Sequence, residues 1–516
     1  MPAISRQPYV RNSMMGKKIA FGLLCLLSTV LVAEQGTNGE QNSQLSSSNA
    51  SYDGNALLLK GQVLLDHGLG KMKAEEAKLE RQEGGKDFPF SLIHLKTEVE
   101  LSVKNNTTLS CGSACLDFTS LKGLLFSSDS QPVAFVDTLK KKGSAADLLI
   151  KSAAAELTFL KGEDDTKKTT YTIATILAKE GVVIHYDKSI TLTADHALYR
   201  KEGGRNPSAQ EFQGVLSAYP KNGESKCHIT QGSDHIDADS VDFDLIKNTL
   251  SLYHPVGQLS SSFFPALQKG HLHFRSDHLF WNQEQNTLLL KGNVSLEESI
   301  LGTVSAANEM LIEQGLIDGK QTIKAIRSNG PTSLEYKLPS SEELHKLRCY
   351  GTLVIDRDQL SAVLTSPQKE EGGSLQKQIY YEENAFAVYA DKAFLDYSQE
   401  ANTFHPIALC LKGRVRLFSR DPKEPHRCSV ADRLNYSPHT KTLILCGSAD
   451  RKVLFWDEEQ GIRMSAAEVH ITQDPSTHKS IIKGIGNVQF ALSAEEGDQL
   501  KKIFPQYKSA EPQQTP

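Results

Sequence analysis

The chain of 516 residues is 39% hydrophobic and 23% charged, an ordinary globular composition with material for roughly three to four domains of usual size. A formal net charge of -5 and a pI near 6.4 leave no basic surplus to meet a phosphate backbone, which excludes nucleic acid as a generic partner.

At the N-terminus Lys17 and Lys18 precede an apolar run from Ile19 to Ala33, and polar Glu34, Gln35 and Gly36 follow at once. A basic start, a short apolar stretch and an Ala at its edge predict a secretory signal peptide over 1–33, with an uncleaved anchor as the alternative. Cys25 lies inside that run, and a polar linker over 34–49 follows it. The other cysteines, Cys111, Cys115, Cys227, Cys349, Cys410, Cys428 and Cys446, are an odd and scattered set. They predict incidental buried thiols rather than a disulfide framework, although CGSAC could close a small loop through Cys111 and Cys115.

From residue 52 the chain reads YDGNALLLKGQVLL, and the same sentence returns at 281–296 as WNQEQNTLLLKGNVSL. Period-two alternation predicts half-buried strands, with Gly61 and Gly292 marking points where the strand kinks or bulges. A second phrase recurs as TADHALY, DADSVDF, RSDHLFW, YADKAFL and VADRLNY, centred on Ala194, Ala238, Ser276, Ala390 and Ala431. Its copies lie about 40 residues apart, with about three units between Ser276 and Ala390, which is the signature of a repeat architecture. Ala194 and Ala197 differ by an odd number and cannot share a face of a regular strand, so a bulge or a strand start belongs at Asp195. The repeated aspartates are expected to satisfy local backbone N–H groups, because turn chemistry repeated in every unit is structural.

These signals predict an all-β fold: an elongated open β-jellyroll or solenoid-like stack of sheets built from repeated strand units. Polar and Gly/Pro-rich segments divide it into sections over 50–205, 206–340 and 347–495, with a disordered tail over 496–516. Leu57, Leu59, Val63 and Leu65 in the first copy are the candidate inward positions, with Trp281, Leu288, Leu290, Val294 and Leu296 in the later one. If the sheets part along one edge, this lining forms a groove for acyl chains; if not, it is a closed core.

No nucleophile elbow, Walker loop, HExxH or paired CxxC is present, so neither catalytic residues nor a cofactor is expected. The histidine-rich stretch holds His228 and His235, then His271, His273 and His278. His271 and His273 share a strand face and Cys227 is a conceivable third ligand, but solvent-facing histidines are the expectation, and no metal site is assigned.

The stretches YDGNALLLKGQVLLDHGLGKMKAEEAKLE at 52–80 and ADRLNYSPHTKTLILCG at 431–447, with SAAEVHITQD after the latter, resemble the OstA/LptA family of periplasmic lipopolysaccharide-transport proteins. The resemblance covers about half of the chain. It implies twisted open jellyrolls, a periplasmic location, and a hydrophobic groove that carries lipopolysaccharide from the inner to the outer membrane without catalysis. It further implies contact with other envelope transport proteins through terminal edge strands. This chain is much longer than a single-jellyroll member and lacks the run of amphipathic strands of an outer-membrane barrel. An exported scaffold without a lipid, and a carbohydrate-active β-solenoid enzyme, are the competing readings.

Overall fold

The computed structural model describes residues 45–81, 90–103, 107–141, 144–163, 169–187, 189–201, 214–223, 225–259, 271–298, 302–317, 320–337, 343–356, 358–367, 378–400, 403–419, 427–457, 462–473 and 480–492. The segments read as signal peptide and C-terminal tail lie outside these residues, as does most of the polar loop sequence. The described residues carry forty strands, all paired antiparallel, and no helix, as the alternating pattern predicts. Strand pairing begins at Leu45–Ser46, within the stretch read as linker.

Two sheets run side by side, and a few long strands belong to both. Ala56–His67, Gly70–Glu80, Leu92–Val103 and Thr107–Asp117 cross from one sheet to the other in succession, and each pairing breaks register at its centre. Thr169–Tyr186 with Ile190–Arg200, and Thr403–Ser419 with Arg427–Ser437, do the same further on. Between the last two pairs the strands are short, and the chain visits the sheets alternately, two strands at a time. Sheet I runs through Val215–Tyr219, Ser240–Asp244, Thr249–Tyr253, His278–Asn282 and Thr287–Lys291. Sheet II runs through Cys227–Gln231, Asp234–Ala238, Val256–Leu259, Leu272–Arg275 and Val294–Glu298. This alternation is the open jellyroll that the repeats predict.

The two sheets meet along a row of corners, and the repeated phrases are those corners. Asp195 falls out of register between Ala194, paired with Val182, and His196, paired with Lys179, where the odd spacing of the alanines requires a bulge. Asp239 and Asp391 each stand alone between a strand of sheet II and the next strand of sheet I, and Ser276 with Asp277 fill the same place one repeat after Asp239. The return corners use two consecutive left-handed residues: Gly61–Gln62, Gly292–Asn293 and Gly413–Arg414. Successive corners hydrogen-bond to one another, from Asp239 N to Tyr253 O (2.9 Å), His254 N to Asp277 O (2.8 Å), Asp277 N to Gly292 O (2.9 Å) and Gly292 N to Asn308 O (2.6 Å). The turn residues, which would otherwise leave buried backbone groups unpaired, thereby form a ladder of their own.

The repeated aspartates act across this ladder rather than on their own local turn. Asp195 accepts from the Lys221 amide (2.8 Å) and Ser225 Oγ (2.6 Å), Asp277 from Asn293 Nδ2 (3.0 Å), and Asp391 from Arg414 Nη2 (2.6 Å). Each side chain fastens its corner to the next one on, and the Asp195 carboxyl is held below its usual range chiefly by the Ser225 hydroxyl and the Lys221 amide.

Inward residues from both sheets form one apolar core from Leu59 to Val469. Alternation is clean: Leu59, Val63 and Leu65 are buried, while Leu58 and Leu64 on the same strand are exposed. Each fully buried Leu or Val contributes about 1.5–3 kcal/mol. The last strands, Ser480–Ile485 and Gln489–Leu492, each pair on one side only among the described residues, and they expose Ile481 and Phe490.

Gly292 tests the corner. A Cβ there would sit 2.2 Å from Asp277 Oδ2, at a φ of +68°. Gly292→Ala is expected to lower stability by about 1–3 kcal/mol in denaturant unfolding, against no more than a few tenths for Gly223→Ala, where nothing lies within 4 Å.

Candidate functional site

The inward positions change character with distance from the corners. Close to the corner row, Ala238, Leu252 and Leu290 are fully buried and the sheets touch. One pleat further out, Phe243, Leu250 and Trp281 of sheet I and Ile236 of sheet II are only partly covered, although all point inward against the core. The sheets part there, and a cleft with an empty volume of about 840 Å³, open solvent at its mouth included, lies between them. Sheet I supplies Leu216, Val241, Phe243, Leu250, Trp281 and Leu288 to its wall. Sheet II supplies Ile229, Ile236, Leu259 and Phe274, and the crossing strands add Ile184, Tyr186, Ile190 and Leu192. Among the described residues, Gln231 and Asp234 are the only lining residues that are neither aliphatic nor aromatic. The lining solvates hydrocarbon, and the described residues offer no cluster of acids, bases or nucleophiles in it.

Of the residues singled out from sequence, Trp281 and Leu288 line this cleft. Leu290 and Val294 are buried beside the Gly292 corner, and Leu296 is buried in sheet II opposite Phe274. Leu57, Leu59, Val63 and Leu65 pack in the core of the first section, away from the cleft, with Leu57 partly covered. The sequence reasoning missed Phe243 and Leu250, which occupy the same register as Trp281 on the neighbouring strands. DADSVDF and NTLSLY held that signal, one repeat earlier than the copy chosen.

The mouth is bridged on both sides of the cleft. On one side Asp137 of sheet II is buried with its carboxylate 3.0 Å from Lys201 Nζ, which extends from the end of a sheet I strand. Thr107 Oγ1 donates to the same carboxylate at 3.0 Å and Tyr199 Oη at 3.3 Å, so the pair is hydrogen-bonded as well as paired. On the other side, Tyr436 of sheet I donates to Glu383 of sheet II at 2.8 Å. His345 Nδ1 donates to Tyr381 Oη (2.8 Å), which donates to Glu383 (3.2 Å), and Tyr336 stacks on His345 with centroids 5.0 Å apart. Burial pushes the Glu383 carboxyl up to about 7 and the His345 imidazole down. Lys441 and Glu343 add a half-exposed pair across the same stretch at 3.2 Å. Nearer the N-terminus the backbone itself closes the gap, Tyr171 N donating to Gly68 O at 3.1 Å, with His67 packed against Phe118 and Tyr171. Burial lowers that histidine to about 4.

All seven cysteines among the described residues are free, and burial raises the thiols of Cys111 and Cys227 to about 12, which makes them inert. Cys227 points into the core while His271 and His273 are exposed, so these three do not assemble.

No protein-family model matches the chain, and no curated protein matches it. A solved structure gives a partial likeness. LptH of Pseudomonas aeruginosa, the LptA-homologous periplasmic component of a lipopolysaccharide transport device, aligns over 24% of this chain and 75% of its own, at 15% identity and a TM-score of 0.20. A likeness of that size bears on neither the ligand nor the partners of this chain.

Two outcomes test the bridges. Lys201→Met leaves the Asp137 charge buried without its cation and is expected to cost about 3–5 kcal/mol in chemical denaturation, more than the double change Lys201→Met with Asp137→Leu. For Glu383 the folded pKa, about 7, lies above the ordinary 4.5, so the folded state holds a proton that the unfolded state releases. Its contribution to stability is therefore full below pH 4.5 and is lost as pH rises through 7. The stability difference between wild type and Glu383→Gln is expected to fall by up to about 3 kcal/mol across that window. A difference that stays constant with pH contradicts the assignment.

Proposed function

We propose that the protein is a non-catalytic lipid carrier of a Gram-negative-type envelope, located in the periplasm, whose inter-sheet cleft holds acyl chains of lipopolysaccharide. The observation that carries this reading is the cleft itself: an apolar space between two sheets on the side away from the corners, in which Gln231 and Asp234 are the only lining residues, among those described, that are neither aliphatic nor aromatic. Acyl chains lose water there while a sugar headgroup stays outside the mouth. The resemblance of the repeat phrases to periplasmic lipopolysaccharide-transport proteins supports the choice of lipid, and the predicted signal peptide supports export. Contact with other envelope transport proteins through the one-sided strands at the C-terminal end, where Ile481 and Phe490 are exposed, belongs to the same proposal.

The bridges refine the mechanism. Passage of a lipid along the row of corners requires Lys201–Asp137 or the Glu383 network to open, whereas holding a lipid in place requires neither. A closed scaffold is the second reading, favoured by those same bridges, which seal the mouth over the flanking sections.

Photo-crosslinking in cells separates the two. A photoreactive residue at Phe243, Trp281 or Leu288 is expected to yield lipopolysaccharide adducts, and one at Glu284, in an exposed turn, is expected to yield none. Absence of adducts at all three cleft positions in correctly exported protein transfers the assignment to the scaffold.

A further inference from the structure

The outer face of the cleft wall carries a cluster with different chemistry. His228 and Asp237 are directly opposed across the hairpin formed by Cys227–Gln231 and Asp234–Ala238. His235 lies two residues before Asp237 on the same strand and therefore on the same face. Their neighbours Cys227 and Ala238 are buried, which fixes the three polar side chains outward. His228 Nδ1 lies 2.6 Å from Asp237 Oδ1, and His235 Nε2 lies 2.9 Å from that same oxygen. The two rings are nearly parallel, 14° apart with centroids 6.2 Å from one another, and one ligand atom from each of the three residues falls within 4.8 Å of the others.

We propose that His228, His235 and Asp237 bind a divalent late first-row transition ion, of which Zn²⁺ is the representative. The donor set of two imidazoles and one carboxylate suits Zn²⁺, Ni²⁺ or Cu²⁺ and not Mg²⁺ or Ca²⁺, which take oxygen ligands. Bond lengths of ~2.0–2.1 Å in a tetrahedral site place ligand atoms about 3.4 Å apart, so the cluster needs to open by under about 1 Å at its two short contacts. Without metal, both imidazoles donate to one oxygen; with metal, the ion replaces those two protons. Three protein ligands leave one position, and it faces solvent, because both histidine side chains are about half exposed, at 51%. His273 does not join them. It is two strands beyond His235 by way of Gln258, about 10 Å away.

A cross-strand ion at this hairpin ties together the two strands that also present Ile229 and Ile236 to the cleft. The site stands independently of what the cleft holds.

Isothermal titration of the tag-free, full-length protein with Zn²⁺, and separately with Ni²⁺, tests the assignment. One equivalent is expected to bind. His228→Ala and His235→Ala are each expected to weaken it by at least the ~10–100-fold that loss of even an indirect supporting group causes. His254→Ala removes another exposed histidine, one paired with Asp239, and is expected to change nothing. Addition of Mg²⁺ or Ca²⁺ should not displace the ion. Far-UV circular dichroism of each variant should match wild type, since all three side chains point outward. Absence of binding for both metals overturns the proposal, as does binding that survives both His228→Ala and His235→Ala.

Discussion

The structure depends on one recurring backbone event, the passage of the chain from one sheet to the other through a corner that hydrogen-bonds to the next corner. A strand carried straight through would keep its alternation and make a single flat sheet. The two left-handed residues at Gly292–Asn293, or the single displaced residue at Asp239, turn the chain while keeping apolar side chains on the inner side of both sheets. Because corner hydrogen-bonds to corner, each turn fixes the height of the next, and the register of both sheets follows from it. The aspartate side chains strengthen this in the direction of growth, since each reaches the corner that comes later in sequence.

That constraint also determines where space can exist. Near the corners the sheets are held a hydrogen bond apart, and small or closely nested side chains fill the gap, as Ala238, Ala306 and Ala390 do. Away from the corners the sheets are tied only by side chains that span the mouth. Lys201 with Asp137, and Tyr436 with Glu383, tie the two sheets across the mouth; the cleft lies where the described inner residues are mainly aliphatic and aromatic. Buried polar groups here decide openness, and they do so because an unpaired one is costly enough to hold its partner in place.

Much of the fold was legible in the sequence because its signals are local and repeated. Alternation located the strands, the odd spacing of Ala194 and Ala197 located a bulge, and the glycine of the Leu-x-Leu-x-Gly phrase located the return corner. The site was legible only in part. Trp281 and Leu288 were identifiable as inward, but Leu290 is equally inward and lies in the closed part, since alternation reports a face and not the distance to the opposing sheet. The bridges left no local trace: Asp137 and Lys201 are 64 residues apart, and Tyr436 is 53 from Glu383. His228 and His235 were legible in HIT and HID flanking a tight turn, but that Asp237 stands opposite His228 follows from the hairpin register, which spacing alone does not give.

The positions of the bridges bear on how a ligand of the proposed kind would reach the cleft. Among the described residues the corner row closes one long side, and the Asp137 and Glu383 networks tie the sheets before and after the stretch that holds the cleft, which leaves the mouth between them as the route that the proposed ligand would take. Lateral entry suits a molecule whose apolar part is separable from a polar head, because the head never has to cross the lining. It also places a different demand on each network. Breaking Lys201 from Asp137 exposes two full charges to an apolar neighbourhood, whereas Glu383, with its carboxyl raised to about 7, can part from Tyr436 in the neutral form near neutral pH. Of the two networks, the one at Glu383 is therefore the one that parts at lower cost.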